Sequence, residues 1–368
     1  MKNILKAFII LIFSIQHAVG QNLNLRDSLT GKPISFANIV SNDGKLVGLS
    51  DINGIINKAK LLKSLKEGNN ILTIQHLSYE NYNISSIHLK SIDTLRMNKR
   101  QNVLPEVIAI PEKNKTYDYT VLTGYYRCYQ LEDSIAKYYK DGIIEFYLPR
   151  NGKNIKRIIL NNRSFHNNEL IAAQKVRKCM VNINGTVIPY LETGTALDEL
   201  GNQYTSKEYK GERLIIKSDS VIGVTRIDSL TGLININIDL IAPQKEETHS
   251  LFNYTSRITN INISENYLSG DILSTSKSDL ESRKEYRKLF FKHKKEKAET
   301  AIDIISELYI VDKKHVTKEE YNERKKTFNQ TSYSSLFTNE YWNDLTMHNI
   351  PQLNEPIKLL LDNKLIKE

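Results

Sequence analysis

Ile234-Asn235-Ile236-Asn237-Ile238-Asp239-Leu240 alternates apolar and polar side chains at every step. Successive side chains of an extended chain point to opposite faces, so a period of two gives one strand with a dry and a wet side. Such a strand belongs to an antiparallel sheet. Working outward from it, strands are predicted at Ile143 to Leu148, Lys156 to Asn161, Arg213 to Lys217 and Val221 to Asp228. Others follow at Ile261 to Ile263, Tyr267 to Leu273, Arg287 to Lys292 and Ala301 to Val311. Many successive strands with one wet face predict a large, curved antiparallel sheet. Helices are fewer: Leu170 to Val181, a helix opened by the capping box Thr317 to Glu320 and running to about Lys326, and Asn354 to Lys364 with Pro356 in its first turn. Residues 117–368 are therefore expected to form an α+β domain. Twenty Tyr against ten Phe and one Trp fit rings half buried in a sheet.

At the other end, Lys2 and Lys6 precede an apolar run from Ala7 to Phe13, and Ala18-Val19-Gly20 supplies small residues before Gln21. This is the pattern of a secretory signal peptide, residues 1–20, cut after Gly20. The run is too short for the roughly 20 residues a membrane-spanning helix needs. Neither Cys128 nor Cys179 lies near the cut, so no lipid anchor is expected. The expected location is the periplasm or the periplasmic face of an outer membrane. The formal charge of +9 then points to an acidic envelope surface and not to nucleic acid. In an oxidising compartment Cys128 and Cys179 can pair, closing a loop of about 50 residues worth roughly 4 kcal/mol; two separately buried thiols are the alternative.

Between these ends, residues 21–98 read as short strands divided by turns at Asp27 to Gly31, Asn42 to Gly44, Asp51 to Gly54 and Glu67 to Asn70. Ile34 to Val40 and Ile71 to Ile74 are rich in strand formers, so an all-β module is predicted. Residues 99–116 are polar, carry Pro105 and Pro111, and read as a linker. Asp27, Thr30, Gly31, Pro33, Ile34, Ala37, Ile39, Gly48, Ser50, Asp51 and Gly54 occupy the places of two motifs, D-x-x-T-G-x-P-I-x-x-A-x-V and G-x-x-[ST]-D-x-x-G. On these residues the N-terminal quarter resembles the carboxypeptidase regulatory-like domain of exported Bacteroidetes proteins. Leu104 to Ile108 resembles the segment that follows such domains. The resemblance implies a transthyretin-like β-sandwich that is not itself catalytic. It departs at Ser78, where the family usually has Gly, which predicts a looser turn.

No phosphate-binding glycine loop, nucleophile elbow or paired-cysteine zinc motif is present, so no catalytic, cofactor or metal residue is assigned. His293-Lys294-Lys295-Glu296 has the spacing of a zinc pair, but its lysines disfavour a dication. Asp118, Asp141, Glu145, Asp228 and Asp239 offer carboxylates to a hydrolase without a spacing that joins any two. Arg283, Lys284, Arg287, Lys288, Lys292, Lys294, Lys295 and Lys297 surround Leu289, Phe290 and Phe291. They read either as a strand with a solvated basic face or as a surface for anionic lipid, with Lys292, Lys294 and Lys295 as its outer-membrane contacts. Asp27-Ser28-Leu29, Asp93-Thr94-Leu95, Asp133-Ser134-Ile135, Asp219-Ser220-Val221 and Asp228-Ser229-Leu230 match an O-glycosylation pattern of Bacteroidetes, although Asp-Ser also starts turns. The repeated Asp-Ser-Leu-Thr-Gly at 27 and 228 is read as shared turn chemistry. The expected function is a non-enzymatic envelope protein that docks a partner. A carrier holding a lipid or acyl chain in a half-barrel, and a hydrolase with an unfamiliar site, are the alternatives.

Overall fold

The computed structural model describes residues 22–65, 71–100, 117–152, 154–176, 188–228, 231–244, 246–268, 275–327, 335–343, 345–348, 350–353, 355–363 and 365–367. The signal segment, Cys179 and all of the linker after Arg100 lie outside these. The chain divides into two compact units, Met1–Arg100 and Gln101–Glu368.

The first unit contains β1 (Asn22–Asp27), β2 (Asn38–Ser41), β3 (Leu46–Leu49), β4 (Ile55–Asn57), α1 (Lys58–Ser64), β5 (Ile71–His76), β6 (Tyr79–Ser85), α2 (Ser86–Ser91) and β7 (Thr94–Met97). One sheet runs β4-β1-β7 and the other β3-β2-β5-β6, with Leu23, Leu25, Ile39, Leu72, Ile74 and Leu95 packed between them. The result is a β-sandwich in which β1 and β7 are parallel. Two short helices interrupt the expected all-β module. Each is started by a polar residue closing its first turn: the Asn57 side chain accepts from Lys60 N at 2.8 Å, and Ser85 from His88 N at 3.1 Å. The strand expected from Ile34 starts only at Asn38, because Phe36 takes a left-handed φ of +59°.

Motif residues hold the turns. The Asp27 carboxylate accepts Leu29 N and Thr30 N and, through its second oxygen, the Tyr79 hydroxyl at 2.9 Å. Asp51 accepts Asn53 N and Ile55 N across a turn that requires Gly54 at φ +72°. A side chain at Gly54 would meet the Leu25 carbonyl at 2.6 Å. The turn at Ser78 is tighter than predicted: two residues suffice, with Ser78 N donating to His76 Nδ1 at 3.0 Å in place of the glycine's freedom. Lys99 and Arg100 belong to this unit and not to the linker, since Arg100 N binds Ser78 O and Lys99 bridges to Tyr79.

The second unit contains β8 (Tyr119–Glu132), β9 (Ile135–Pro149), β10 (Lys156–His166), α3 (Asn168–Val176), β11 (Thr205–Tyr209), β12 (Glu212–Lys217), β13 (Ser220–Ile227) and β14 (Leu233–Asp239). It continues with β15 (Glu247–Leu251), β16 (Tyr254–Leu268), β17 (Leu280–His293), β18 (Thr300–Val316), α4 (Lys318–Thr327), α5 (Glu355–Asn363) and β19 (Ile366–Lys367). Twelve strands form one antiparallel sheet in the order β11-β12-β13-β14-β16-β17-β18-β8-β9-β10-β19, with β15 paired to β16, and the sheet is not closed into a barrel. The capping box forms as predicted, Thr317 N donating to the Glu320 carboxylate at 2.7 Å and Glu320 N to Thr317 Oγ1 at 3.3 Å. In both Asp-Ser-Leu-Thr-Gly segments the glycine N–H donates to the Asp carbonyl, at 3.0 and 2.7 Å, with glycine φ of +68° and +69°.

Register sorts the side chains. Tyr126 lies opposite Leu308 and Gly142, and Ile263 opposite Ile238, so these share a face with Leu122, Ile144, Phe146 and Ile236. Leu191, Ala196 and Leu200 of the chain's own 188–200 stretch pack onto that face and help fill it. The opposite face is not the wet one expected. Asn237 is only 1% exposed, and Asn235, Asn237, Ser264, Asn266 and Ser282 hydrogen-bond to one another across β14, β16 and β17. Polar residues alternate here because they satisfy each other across strands, and an alternating sequence does not distinguish that from contact with water.

Candidate functional site

Three groups of ionisable side chains compete for the role of a site, and two are closed. On the polar face, the Asp141 carboxylate receives the hydroxyls of Tyr125, Tyr139 and Tyr341 at 3.1, 2.9 and 2.8 Å and pairs with Arg163. Four residues along the same strand, Glu145 receives Tyr147, Lys314 and Arg324. Burial opposes ionisation of Glu145, but the hydrogen bonds from Arg324, Tyr147 and Lys314 outweigh it and hold the carboxyl below its ordinary value. Arg127 pairs with Glu307 and donates to the Pro351 carbonyl at 2.7 Å, so the C-terminal segment closes over this face. Lys284 is buried beside them, and burial pulls its ammonium down to about 8.

Asp118 instead accepts Lys318 N, Asp239 accepts Ile241 N and Ala242 N, and Asp228 sits in its turn. Of the five carboxylates offered for hydrolysis, only Asp141 and Glu145 share a strand; Asp141 is occupied by one cation and three phenols, Glu145 by two cations and one phenol. The arrangement gives neither carboxylate an open lone pair facing a substrate.

The second group lies against the apolar core. Glu265 is fully buried and binds Lys277 Nζ at 2.7 Å, Arg283, the Tyr267 hydroxyl and the amide of Ala196 at 2.7 Å. Arg283 also reaches Glu199 at 2.9 Å and Glu285 at 3.2 Å. Burial opposes the Glu265 charge, yet the two cations outweigh it and hold the carboxyl at about 2. This cluster fixes the 188–200 stretch to the sheet.

The third group is open. The long strands β16, β17 and β18 continue into a part of the sheet where residues 254–261 and 288–292 are half buried or exposed. Tyr254 stacks on Phe291 with ring centroids 5.3 Å apart, and the Arg257 guanidinium lies 4.4 Å over Phe290 while pairing with Glu246 and Glu299. Lys288 pairs with Asp303. Of the eight basic residues read together in the sequence, Arg283, Lys284 and Lys288 are engaged among the strands, and Arg287, although exposed, pairs with Glu285 of its own strand. Lys292 is half buried near the end of β17, opposite Thr255, and Lys294, Lys295 and Lys297 lie beyond that strand; among the described residues these three have no ion pair and are exposed. His293 is not poised for metal: its ring Nδ1 accepts Lys295 N at 3.2 Å, and the Glu296 carboxylate is turned onto His293 N at 3.0 Å.

The two-residue turn between β15 and β16 brings in a residue the sequence reading missed. Phe252 is 95% exposed and takes φ +53°. Lys294 N donates to Asn253 O at 2.8 Å, which sets the lysine-bearing turn beside this tip. The available signal was a turn position that normally takes glycine filled by an aromatic ring. Among the described residues, no three His, Cys, Asp or Glu gather to hold a metal ion. Cys128 is buried with its thiol 3.4 Å from Ser306 Oγ, and burial pushes it up to about 12. No protein-family model matches the chain, and no curated protein matches it.

Proposed function

We propose that the chain is a non-enzymatic exported protein of a bacterial envelope, in which the N-terminal sandwich is a docking or structural module and the sheet unit binds a partner at its exposed, basic end. The observation that carries this reading is a contrast. Asp141, Glu145, Glu265 and Glu307 are closed by cations of the same chain, while Lys294, Lys295 and Lys297 have no ion pair among the described residues and the turn that carries them adjoins an exposed Phe252. Carboxylates met by cations of their own chain leave no charge for a partner, whereas surplus charge with an exposed ring is what a binding surface presents.

Export is supported by Lys2, Lys6 and the apolar run after them, and the envelope setting by the resemblance of residues 24–57 to carboxypeptidase regulatory-like domains of Bacteroidetes. Among the described residues no helix is long and apolar enough to cross a membrane. Docking is preferred to carriage because Leu191, Ala196 and Leu200 already pack onto the apolar face that an acyl chain would need. A native mass spectrum of the chain released gently from its envelope tests the choice. A chain free of lipid-mass adducts agrees with docking; a stoichiometric lipid adduct makes it a carrier and overturns the reading.

A further inference from the structure

Resting on that docking reading, we infer that the end of the sheet carrying Phe252 seats on an anionic phospholipid bilayer, with the ring entering the headgroup boundary and Lys292, Lys294, Lys295 and Lys297 meeting phosphate groups. Three adjoining turns make this end. The β15–β16 tip is tied to the β17–β18 turn through Lys294 N to Asn253 O, and the β8–β9 turn is tied to the start of β18 by Asp133 N to Ala301 O at 2.8 Å and Ala301 N to the Asp133 carboxylate at 2.9 Å. Ile135, at that third turn, is 42% exposed.

The choice of residue at the tip points to a partner. A two-residue hairpin turn favours positive φ at its first position, where glycine is free of strain and a bulky side chain is not. Other hairpins of the sheet follow this rule with Asp133-Ser134, Lys210-Gly211 and Ser218-Asp219, all at positive φ and all polar or glycine. Phe252 places a bulky apolar ring at such a position with φ +53° and leaves it 95% exposed. Phe36 shares the positive φ but is buried, so it is the exposure of the Phe252 ring that points to a role outside the fold.

Charge selects the occupant. Asp133, Glu246, Glu296 and Glu299 bring carboxylates to this end, but Arg257, Lys292, Lys294, Lys295 and Lys297 outnumber them, so its net charge is positive. A single ring between lysines supplies one anchor where a protein interface of about 800 Å² per partner uses several, so a bilayer is favoured over a protein as the occupant. A bilayer needs only a ring to insert and an anionic surface for the lysines, and gives reversible, salt-sensitive binding.

Co-sedimentation of the full chain with vesicles of phosphatidylglycerol and phosphatidylcholine in equal parts, against phosphatidylcholine alone, is the test. Binding to the anionic vesicles at low salt, released at high salt and at least about tenfold weaker on the neutral ones, is expected. Changing Lys292, Lys294 and Lys295 together to Glu should weaken it about a hundredfold or more, each lysine being worth roughly fivefold. Phe252→Gly keeps every charge and relaxes the turn, so it should fold at least as well and still bind about tenfold more weakly.

No binding at low salt, unchanged binding by the Phe252→Gly chain, or retention on heparin without vesicle binding would each overturn the inference while leaving protein docking intact. A lipid-mass adduct that persists in the Phe252→Gly chain would place lipid elsewhere and overturn the docking reading itself.

Discussion

Replacing Glu265 by Gln removes the charge at the centre of the most enclosed ion cluster in the sheet unit. Gln keeps the size and one carbonyl acceptor, so no cavity opens and the Ala196 amide, 2.7 Å from the carboxylate, keeps a partner. What is lost is the anion between two cations whose side chains are 1% and 7% exposed, Lys277 and Arg283. Arg283 retains Glu199 and Glu285, whereas the nearest remaining acceptor of Lys277 is the Tyr267 hydroxyl at 3.0 Å. Breaking one partner of a buried pair costs about 3–5 kcal/mol. Burial already pulls the Lys277 ammonium down, so it can shed its proton, and the lower end, about 3 kcal/mol, is expected. The only Trp of the chain, Trp342, lies in this unit under the Arg163 guanidinium at 3.7 Å, so urea unfolding followed by its fluorescence reports the sheet unit. Glu265→Gln combined with Lys277→Met removes both charges and should recover about 1–2 kcal/mol of the loss. A single-variant cost below about 1 kcal/mol, or a double variant no better than the single, would refute the assignment of this cluster as a mutually dependent ion group.

The same carboxyl makes a pH prediction. Its folded value of about 2 lies below the ordinary 4.5, so its stabilisation is complete above about pH 4.5 and is lost as the pH falls toward 2. The loss should be about 3 kcal/mol and absent from Glu265→Gln; equal acid sensitivity of the two chains would count against it. Tyr126 is fully buried with a hydroxyl that has no hydrogen-bond partner among the described residues, so Tyr126→Phe should raise stability by about 1 kcal/mol in the same urea assay, and a loss would show the hydroxyl to be satisfied. A methyl group at Gly142 would collide with the Asn161 carbonyl and come 2.8 Å from the Tyr126 ring, so Gly142→Ala should cost about 3 kcal/mol; a melting temperature unchanged from the parent would sink this.

What was legible in the sequence was local. The alternation at Ile234, Ile236 and Ile238 marked a strand and its core face because one strand carries the whole pattern. The Thr317–Glu320 box and the turns at Asp27, Asp51 and Asp228 were readable because each is closed within a few residues. β8 escaped: in Tyr119–Glu132 nearly every residue is buried, so no period of two survives. The partners of Asp141 come from Arg163 and from Tyr341, and those of Glu145 from Lys314 and Arg324, distances along the chain over which no spacing rule operates. Half of the basic run was misleading for the same reason, since the carboxylates that engage Arg283 and Lys288 lie on other strands. The projecting lysines were visible in the sequence; the ring beside them was not, because Phe252 lies on a different hairpin and meets them only through the register of β16 with β17.

The pairing of β8 with β18 sets residue 119 against residue 316, so the first strand of the sheet unit is completed by its last long one. Joining ends so far apart must wait on loop closure, which favours slow assembly over a rapid zip from neighbour to neighbour. A ribosome or a translocon that has delivered only the chain up to residue 300 has therefore released two long strands, β8 and β17, each with one edge unpaired. Such edges template aggregation. The sheet unit is in this sense indivisible in time: its oldest strand stays vulnerable until β18 arrives, and a chain shortened before that point should be recovered as aggregate and not as a smaller sheet.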